Sequence, residues 1–272
     1  MLNIKSKFLI LSSGIFISLV ACNQPTKNTE GEVRDSTLLT DTVGAIGVNP
    51  LSHAKDFPNA KLDIASLTSE KLGNDSAKIT IKYAVQNFDL TAQTEHDHHM
   101  ANSAEGQHIH FILDNQPYAA LYKPEHTFHV AVNSEHYLMS FLSRSFHESL
   151  KTNDAHKLIK FKVLADGNIE RLAAPTEPSI FYSRPKGDYK GDDTKQVLLD
   201  FFVVNTDINA GANKVVATIN GQEFNLDQWT PYEITNLPMG ESTIKLSLVD
   251  KDGHALTGDN VIVERKINLA AQ

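Results

Sequence analysis

The sequence predicts an all-β fold, with two tandem antiparallel β-sandwich domains of the immunoglobulin-like type after a disordered tether. Apolar and polar residues alternate with a period of two in several segments, among them 78–85, 159–163 and 244–248, as in strands with one buried face. Turn dipeptides such as Asn220-Gly221 separate these segments. No long stretch has the 3.6-residue period of a helix, and the best helical candidate is the short segment 146–156.

The composition is that of an ordinary globular protein, with 272 residues, 41% hydrophobic residues, 21% charged residues and a net charge of −8. It excludes a collagen-like or mostly disordered chain. No basic block occurs, so nucleic acid is not an expected partner. A single cysteine and 12 histidines are the unusual features. One cysteine can form neither an intrachain disulfide nor a CxxC zinc site.

Residues 1–21 are expected to be a secretory signal peptide, because two lysines precede an apolar run that is too short for a comfortable transmembrane helix. The run ends in Leu19-Val20-Ala21-Cys22, which resembles the lipobox of bacterial lipoproteins. This resemblance implies that Cys22 carries a diacylglycerol thioether and that acyl chains hold the protein at a membrane. The predicted location is the bacterial cell envelope, at the inner or outer membrane. An ordinary cleaved signal with an incidental cysteine is the alternative.

The polar segment 22–58 is predicted to be a flexible tether, because it contains too little apolar surface to order itself. A short ordered strand from about residue 43 is the alternative. The first sandwich is expected over residues 59–174 and the second over residues 175–272.

The two predicted sandwiches resemble each other in sequence, which indicates an internal repeat. Residues 78–87 align with 196–205, and residues 108–118 align with 214–224. The interval between the two aligned segments is longer in the first half than in the second, which indicates an insertion of about 13 residues near 91–106. The insertion lies in a loop between two strands.

Eleven of the 12 histidines precede residue 157, and several lie in or beside the insertion. His108 and His110 are two apart on a predicted strand, so both imidazoles project from one face. The aligned residues of the second half are Lys214 and Val216. The pair is therefore expected to serve an added function rather than packing.

Imidazole without thiolate suits Zn(II), Cu(II) or Ni(II), and a thioether at Met100 would favour copper. The predicted metal ligands are His108 and His110 first, then the loop histidines His96, His98 and His99, and then His126 and His129. Copper or zinc is the expected cofactor. Hydrogen-bonded strand histidines and a loop that binds metal only incidentally are the alternatives.

Two Ser-Arg pairs suggest a second kind of site. Ser143, Arg144 and Ser145 precede a histidine, and Arg184 follows a serine. Guanidinium beside hydroxyls can bind an anion or phosphate in a bidentate manner. The stretch Ser143-Arg144-x-x-His147 resembles part of the forkhead-associated phosphopeptide-binding domains, with the histidine displaced by one residue. Structural hydrogen bonds at strand ends are the alternative for both arginines.

The segment 106–118, which reads GQHIHFILDNQPY, together with the run 198–205 of the second half, resembles a poorly characterised family of Bacteroidota-type envelope lipoproteins with HxH…LDNQPY repeat units. The resemblance spans about residues 60–270. It implies a β-sandwich lipoprotein and brings no catalytic residues. Some members carry an automatic phosphopeptide-binding label.

These observations predict a membrane-anchored envelope lipoprotein that acts as a binding module and is not an enzyme. The leading hypothesis is transition-metal binding by the first sandwich. The alternatives are a module that binds a peptide or phosphopeptide partner and a structural spacer in an envelope complex.

Overall fold

The computed structural model describes residues 44–52, 56–96 and 99–272. The predicted signal peptide, the predicted lipidation site Cys22, most of the predicted tether and His98 lie outside these residues. The body from Thr42 to Gln272 is one compact unit.

The described residues form strands and two short 3-10 turns, and the all-β prediction is confirmed. The strands are β1 Gly47–Pro50, β2 Lys61–Leu72, β3 Ser76–Gln86, β4 His108–Leu113, β5 Ala119–Leu121, β6 Glu125–Ala131, β7 Ser134–Ser143, β8 His156–Val163, β9 Ile169–Arg171, β10 Ser179–Arg184, β11 Gly187–Lys190, β12 Gln196–Val204, β13 Lys214–Ile219, β14 Gln222–Leu226, β15 Tyr232–Thr235, β16 Gly240–Val249 and β17 Ile262–Ala270.

The strands make two β-sandwiches. In the first, the sheet β2-β3-β6 packs on the sheet β5-β4-β7-β8-β9, and in the second, β1-β15-β12-β10 packs on β11-β17-β16-β13-β14. Each sandwich has its own core, drawn from both of its sheets. Neighbouring strands are antiparallel except β11 and β17, which run parallel.

The two sandwiches share one topology, which agrees with the internal repeat. The order β5-β4-β7-β8 in the first corresponds to β14-β13-β16-β17 in the second. The bridge Ser143↔Ser149 after β7 has its counterpart in Val249↔Ala255 after β16, displaced by 106 residues. Measured from Asn87 and Asn205 to the starts of β4 and β13, the intervals are 21 and 9 residues. The insertion is therefore 12 residues, not 13.

Two local features differ from the leading predictions. Residues 47–50, inside the predicted tether, form β1, which pairs with β15 of the second sandwich, as in the alternative of a short ordered strand after about residue 43. Backbone hydrogen bonds to that sheet edge order the segment, and Ile46 and Val48 pack against the core of the second sandwich. The segment 146–156 contains only one 3-10 turn, Asn153–Ala155. No helix among the described residues is long and apolar enough to cross a membrane.

A third apolar cluster joins the sandwiches. It contains residues from the outer face of the β4 and β7 strands and from β10 and β12, with Phe141 and Phe202 stacked at 5.2 Å between ring centroids. A buried ion pair crosses the same junction, with Lys151 Nζ 3.0 Å from Asp200 Oδ1. Protein therefore covers both faces of strand β4, which carries His108 and His110.

Candidate metal centre

Strand β4 carries His108 and His110 on the face that is turned toward the second sandwich. The intervening Ile109 and the following Phe111 pack into the core of the first sandwich, as the two-residue period of a strand requires. Both histidines are 0% exposed. Because buried polar groups require hydrogen-bonding partners or metal ions, two imidazoles at such positions need a specific explanation.

A third histidine, His147, completes a cluster with the β4 pair. His108 Nε2 lies 2.8 Å from His110 Nε2 and 3.1 Å from His147 Nδ1. The three histidines offer one ligand atom each within 4.8 Å of one another. Nitrogens bound tetrahedrally to one ion at about 2 Å stand roughly 3.3 Å apart. The cluster is therefore close to the geometry that a single transition-metal ion requires.

His147 lies in the turn after β7 with a left-handed backbone, at a φ of 73°. Such a conformation is unfavourable for a residue with a Cβ and favours glycine. The equivalent residue of the second sandwich is Gly253, with a φ of 89°. The same pattern of backbone hydrogen bonds surrounds both residues: His147 N donates to Arg144 O, and Gly253 N donates to Asp250 O. A histidine thus occupies a glycine position in the first sandwich only.

Hydrogen bonds from the surrounding backbone and from the second sandwich orient the β4 pair. His108 Nδ1 donates to the carbonyl of Gly106 at 2.8 Å, so the electron pair of the neutral ring is on Nε2, inside the cluster. His110 Nδ1 lies 2.9 Å from Ser183 Oγ on β10. Partners of this type fix the tautomer and orientation of metal-ligating histidines.

Gly106 connects this arrangement to the insertion. Its φ is +86°, and a Cβ there would lie 2.2 Å from the carbonyl oxygen of Thr91. Thr91 N in turn donates to Gln107 O. The two ends of the inserted loop therefore close against each other directly before β4, which sets the position of the carbonyl that His108 needs.

Aromatic rings enclose the cluster. The ring of Tyr118 stacks on His110 at 3.6 Å between centroids, its hydroxyl lies 3.1 Å from His147 Nδ1, and Tyr122 is 5.1 Å from His108. Burial lowers the pKa of His108 to about 4 and also lowers the pKa values of His110 and His147 far below the usual range. All three rings are therefore neutral at neutral pH and have electron pairs for an ion.

Two cations of the second sandwich stand beside the cluster. Lys186 Nζ is 4.0 Å from the centroid of the Tyr118 ring, and the guanidinium carbon of Arg184 is 5.4 Å from it. The charges of both side chains contribute to lowering the pKa of His110. No aspartate or glutamate belongs to the histidine cluster in the described part of the chain.

The other predicted metal ligands do not join the cluster. His96 packs on Phe146 at 4.6 Å between ring centroids, and His99 is exposed and acts electrostatically on Asp192 of the second sandwich. His126 packs on Phe111, and His129 is exposed on β6. Among the described residues, the third imidazole of the cluster comes from the turn after β7 and not from the loop or β6, while His98 lies outside the described residues.

The predicted anion site is not presented to solvent. Arg144 is 3% exposed and pairs with Glu148 at 2.9 Å, while Ser143 and Ser145 are 0% exposed. Arg184 donates to Tyr189 Oη at 2.9 Å. These contacts agree with the structural alternative for both arginines. The chain turns inward at residues 143–145, so their hydroxyls and guanidinium face protein rather than solvent.

The sequence contained one signal for His147. With the 106-residue offset that aligns the halves, His147 falls on Gly253 of the Asp252-Gly253 turn. A histidine where a repeat has a turn glycine indicates a residue kept for its side chain. The Asp250-Lys251-Asp252-Gly253 segment itself forms a tight turn, with Asp250 Oδ1 accepting from the N–H groups of Asp252 and His254.

Comparisons with known proteins do not identify a function for this chain. No protein-family model matches the chain, and no curated protein matches it. Among solved structures, fibronectin(III)-like modules of Clostridium thermocellum CbhA match 77% of this chain and 94% of their own, at 12% identity and a TM-score of 0.28. The tandem V-type regions of a v-region-containing chitin-binding protein match 78% and 99%, at 8% identity and a TM-score of 0.23. Likenesses this low carry no argument about function.

Proposed function

We propose that this chain binds one transition-metal ion through His108, His110 and His147, at the junction of its two β-sandwiches. The observation that carries the proposal is the convergence of three neutral imidazole nitrogens, with neighbouring separations of 2.8 and 3.1 Å. Three histidines with an open fourth position form a common coordination set for a transition metal. At the equivalent positions the second sandwich has Lys214, Val216 and Gly253, so it has no matching set of ligands.

The competing interpretation is a hydrogen-bonded cluster without an ion. It does not explain why both His110 Nε2 and His147 Nδ1 approach His108 Nε2. His108 Nε2 has a single electron pair, because its Nδ1–H is committed to Gly106 O, yet two ring nitrogens approach it. At most one of them can donate a proper hydrogen bond to that electron pair. A shared ion satisfies all three nitrogens together.

The test is a titration of the full chain with Cu(II), Zn(II) and, under anaerobic conditions, Cu(I), repeated for a His108→Ala plus His110→Ala variant. We expect one tight equivalent in the parent and a loss of affinity on the order of 100-fold or more in the variant, because two of three first ligands are gone. The matched control is His126→Ala plus His129→Ala, which removes two histidines of the same sandwich and should leave the tight equivalent unchanged. If the β4 variant binds as tightly as the parent, the proposal is wrong.

A second control separates the site from the insertion. His99→Ala removes an exposed loop histidine that lies beside Asp192 rather than beside the cluster. This variant should bind like the parent. Tight binding that disappears with His99 alone would instead identify the loop as the ligand.

We further propose that the chain is exported and anchored by lipid at Cys22, which rests on the lipobox-like Leu19-Val20-Ala21-Cys22 segment. In bacteria grown with labelled palmitate, the parent should acquire label and sediment with membranes. A Cys22→Ser variant should acquire none and should lose its membrane association, since no second acyl acceptor cysteine exists in the chain. Equal labelling of both proteins would contradict the anchor.

A further inference from the structure

The charge around the cluster limits which ion it accepts. We propose that the site selects the monovalent ion Cu(I) over the divalent ions Zn(II) and Cu(II). This inference rests on the proposed function and adds to it the class of ion.

Fixed positive charge beside the cluster disfavours a divalent ion. Arg184 and Lys186 both contact the Tyr118 ring, which stacks directly on His110. Neither cation has a carboxylate partner within salt-bridge distance among the described residues. A divalent ion in the cluster is repelled by these charges twice as strongly as a monovalent ion at the same position.

A compensating anion is also lacking among the described residues. The three ligands are imidazoles, which bring no negative charge, and no aspartate or glutamate belongs to the cluster in the described part of the chain. The Tyr118 and His110 rings are nearly parallel, with 9° between their planes. The phenol oxygen therefore lies out of the plane of the His110 ring, and its partner in the cluster is His147 Nδ1 at 3.1 Å.

The cost of removing an ion from water also disfavours a divalent ion at this site. His108 and His110 are fully buried, and two tyrosine rings line the cluster. The free-energy cost of moving an ion from water into such surroundings grows with the square of its charge. Zinc sites in addition prefer four ligands, whereas Cu(I) is stable with the three nitrogens that the cluster offers.

The experiment measures Cu(I) and Zn(II) affinities of the full chain by competition with chromophoric chelators, with Cu(I) handled anaerobically under reductant. The His108→Ala plus His110→Ala variant serves to subtract binding elsewhere. We expect the cluster to bind Cu(I) more tightly than Zn(II) by at least about 100-fold. Equal affinities, or tighter zinc binding, would overturn the selectivity while leaving the metal site intact.

A charge variant tests the cause. Lys186→Gln removes one cation and should raise the affinity for both ions. Because the repulsion is proportional to the charge of the ion, the logarithm of this gain should be twice as large for Zn(II) as for Cu(I). A gain of about tenfold for Zn(II), for example, corresponds to about a threefold gain for Cu(I). Lys186→Arg keeps the charge and should bind both ions like the parent. The matched control is Lys160→Gln, since Lys160 Nζ also lies over a tyrosine ring, that of Tyr137 at 4.8 Å, but not beside the histidine cluster.

The outcomes are distinguishable. Equal gains for both ions in Lys186→Gln, or no gain for either, would overturn the electrostatic selectivity. If neither affinity depends on His108 and His110, the proposed function fails, and the selectivity fails with it.

Discussion

His147 shows at the scale of one residue how backbone cost and function are connected. Its φ of 73° is a conformation that the second sandwich gives to Gly253. For an L-residue with a Cβ this region costs roughly 1–2 kcal/mol. Strain of this kind persists where the side chain has a task that a glycine cannot perform, and here the side chain supplies the third nitrogen of the cluster.

This cost predicts the behaviour of two variants. In the presence of a chelator, His147→Gly should be more stable than His147→Ala by about 1 kcal/mol in chemical unfolding, because only glycine relieves the backbone. Both should lose tight metal binding. Equal stability of the two variants would show that the position is not strained.

The second sandwich provides the matched control. Gly253→Ala introduces a Cβ that would meet nothing within 4 Å, so its cost comes from the backbone alone. It should destabilise the chain by about 1 kcal/mol and leave metal affinity unchanged.

At the scale of elements, strand β4 explains how far the sequence predicts the site. The HxH spacing on a period-two strand predicts correctly that His108 and His110 share a face. It does not predict that this face is buried, because burial comes from the contact with β10 of the second sandwich, through Ser183. The spacing likewise says nothing about β7, which pairs with β4 in register from His108↔Ser143 and so brings the following turn and His147 to the pair.

The insertion shows why a histidine-rich composition alone does not predict the metal ligands. The segment from His96 to His99 is rich in imidazole, but the loop packs across the junction, with Met100 buried and Ala101 against the core of the second sandwich. The two loop histidines that the structure describes, His96 and His99, therefore lie beside Phe146 and Asp192 rather than in the cluster. Internal comparison of the halves is more informative than histidine density, because Lys214, Val216 and Gly253 identify the three positions that differ in chemistry.

At the scale of the whole molecule, the site depends on both sandwiches. The three imidazoles come from the first, whereas Ser183, Arg184 and Lys186 come from β10 and the segment after it in the second. The shared apolar cluster and the buried Lys151–Asp200 pair hold the two together. An ion that binds only this folded arrangement stabilises it in proportion to its affinity and concentration.

X-ray absorption of the full chain loaded with one equivalent of copper or zinc measures directly whether three imidazoles hold one ion. We expect three imidazole nitrogens at about 2 Å from the ion, and two in His147→Gly. A first shell without imidazole, or a spectrum that His108→Ala plus His110→Ala leaves unchanged, would contradict it.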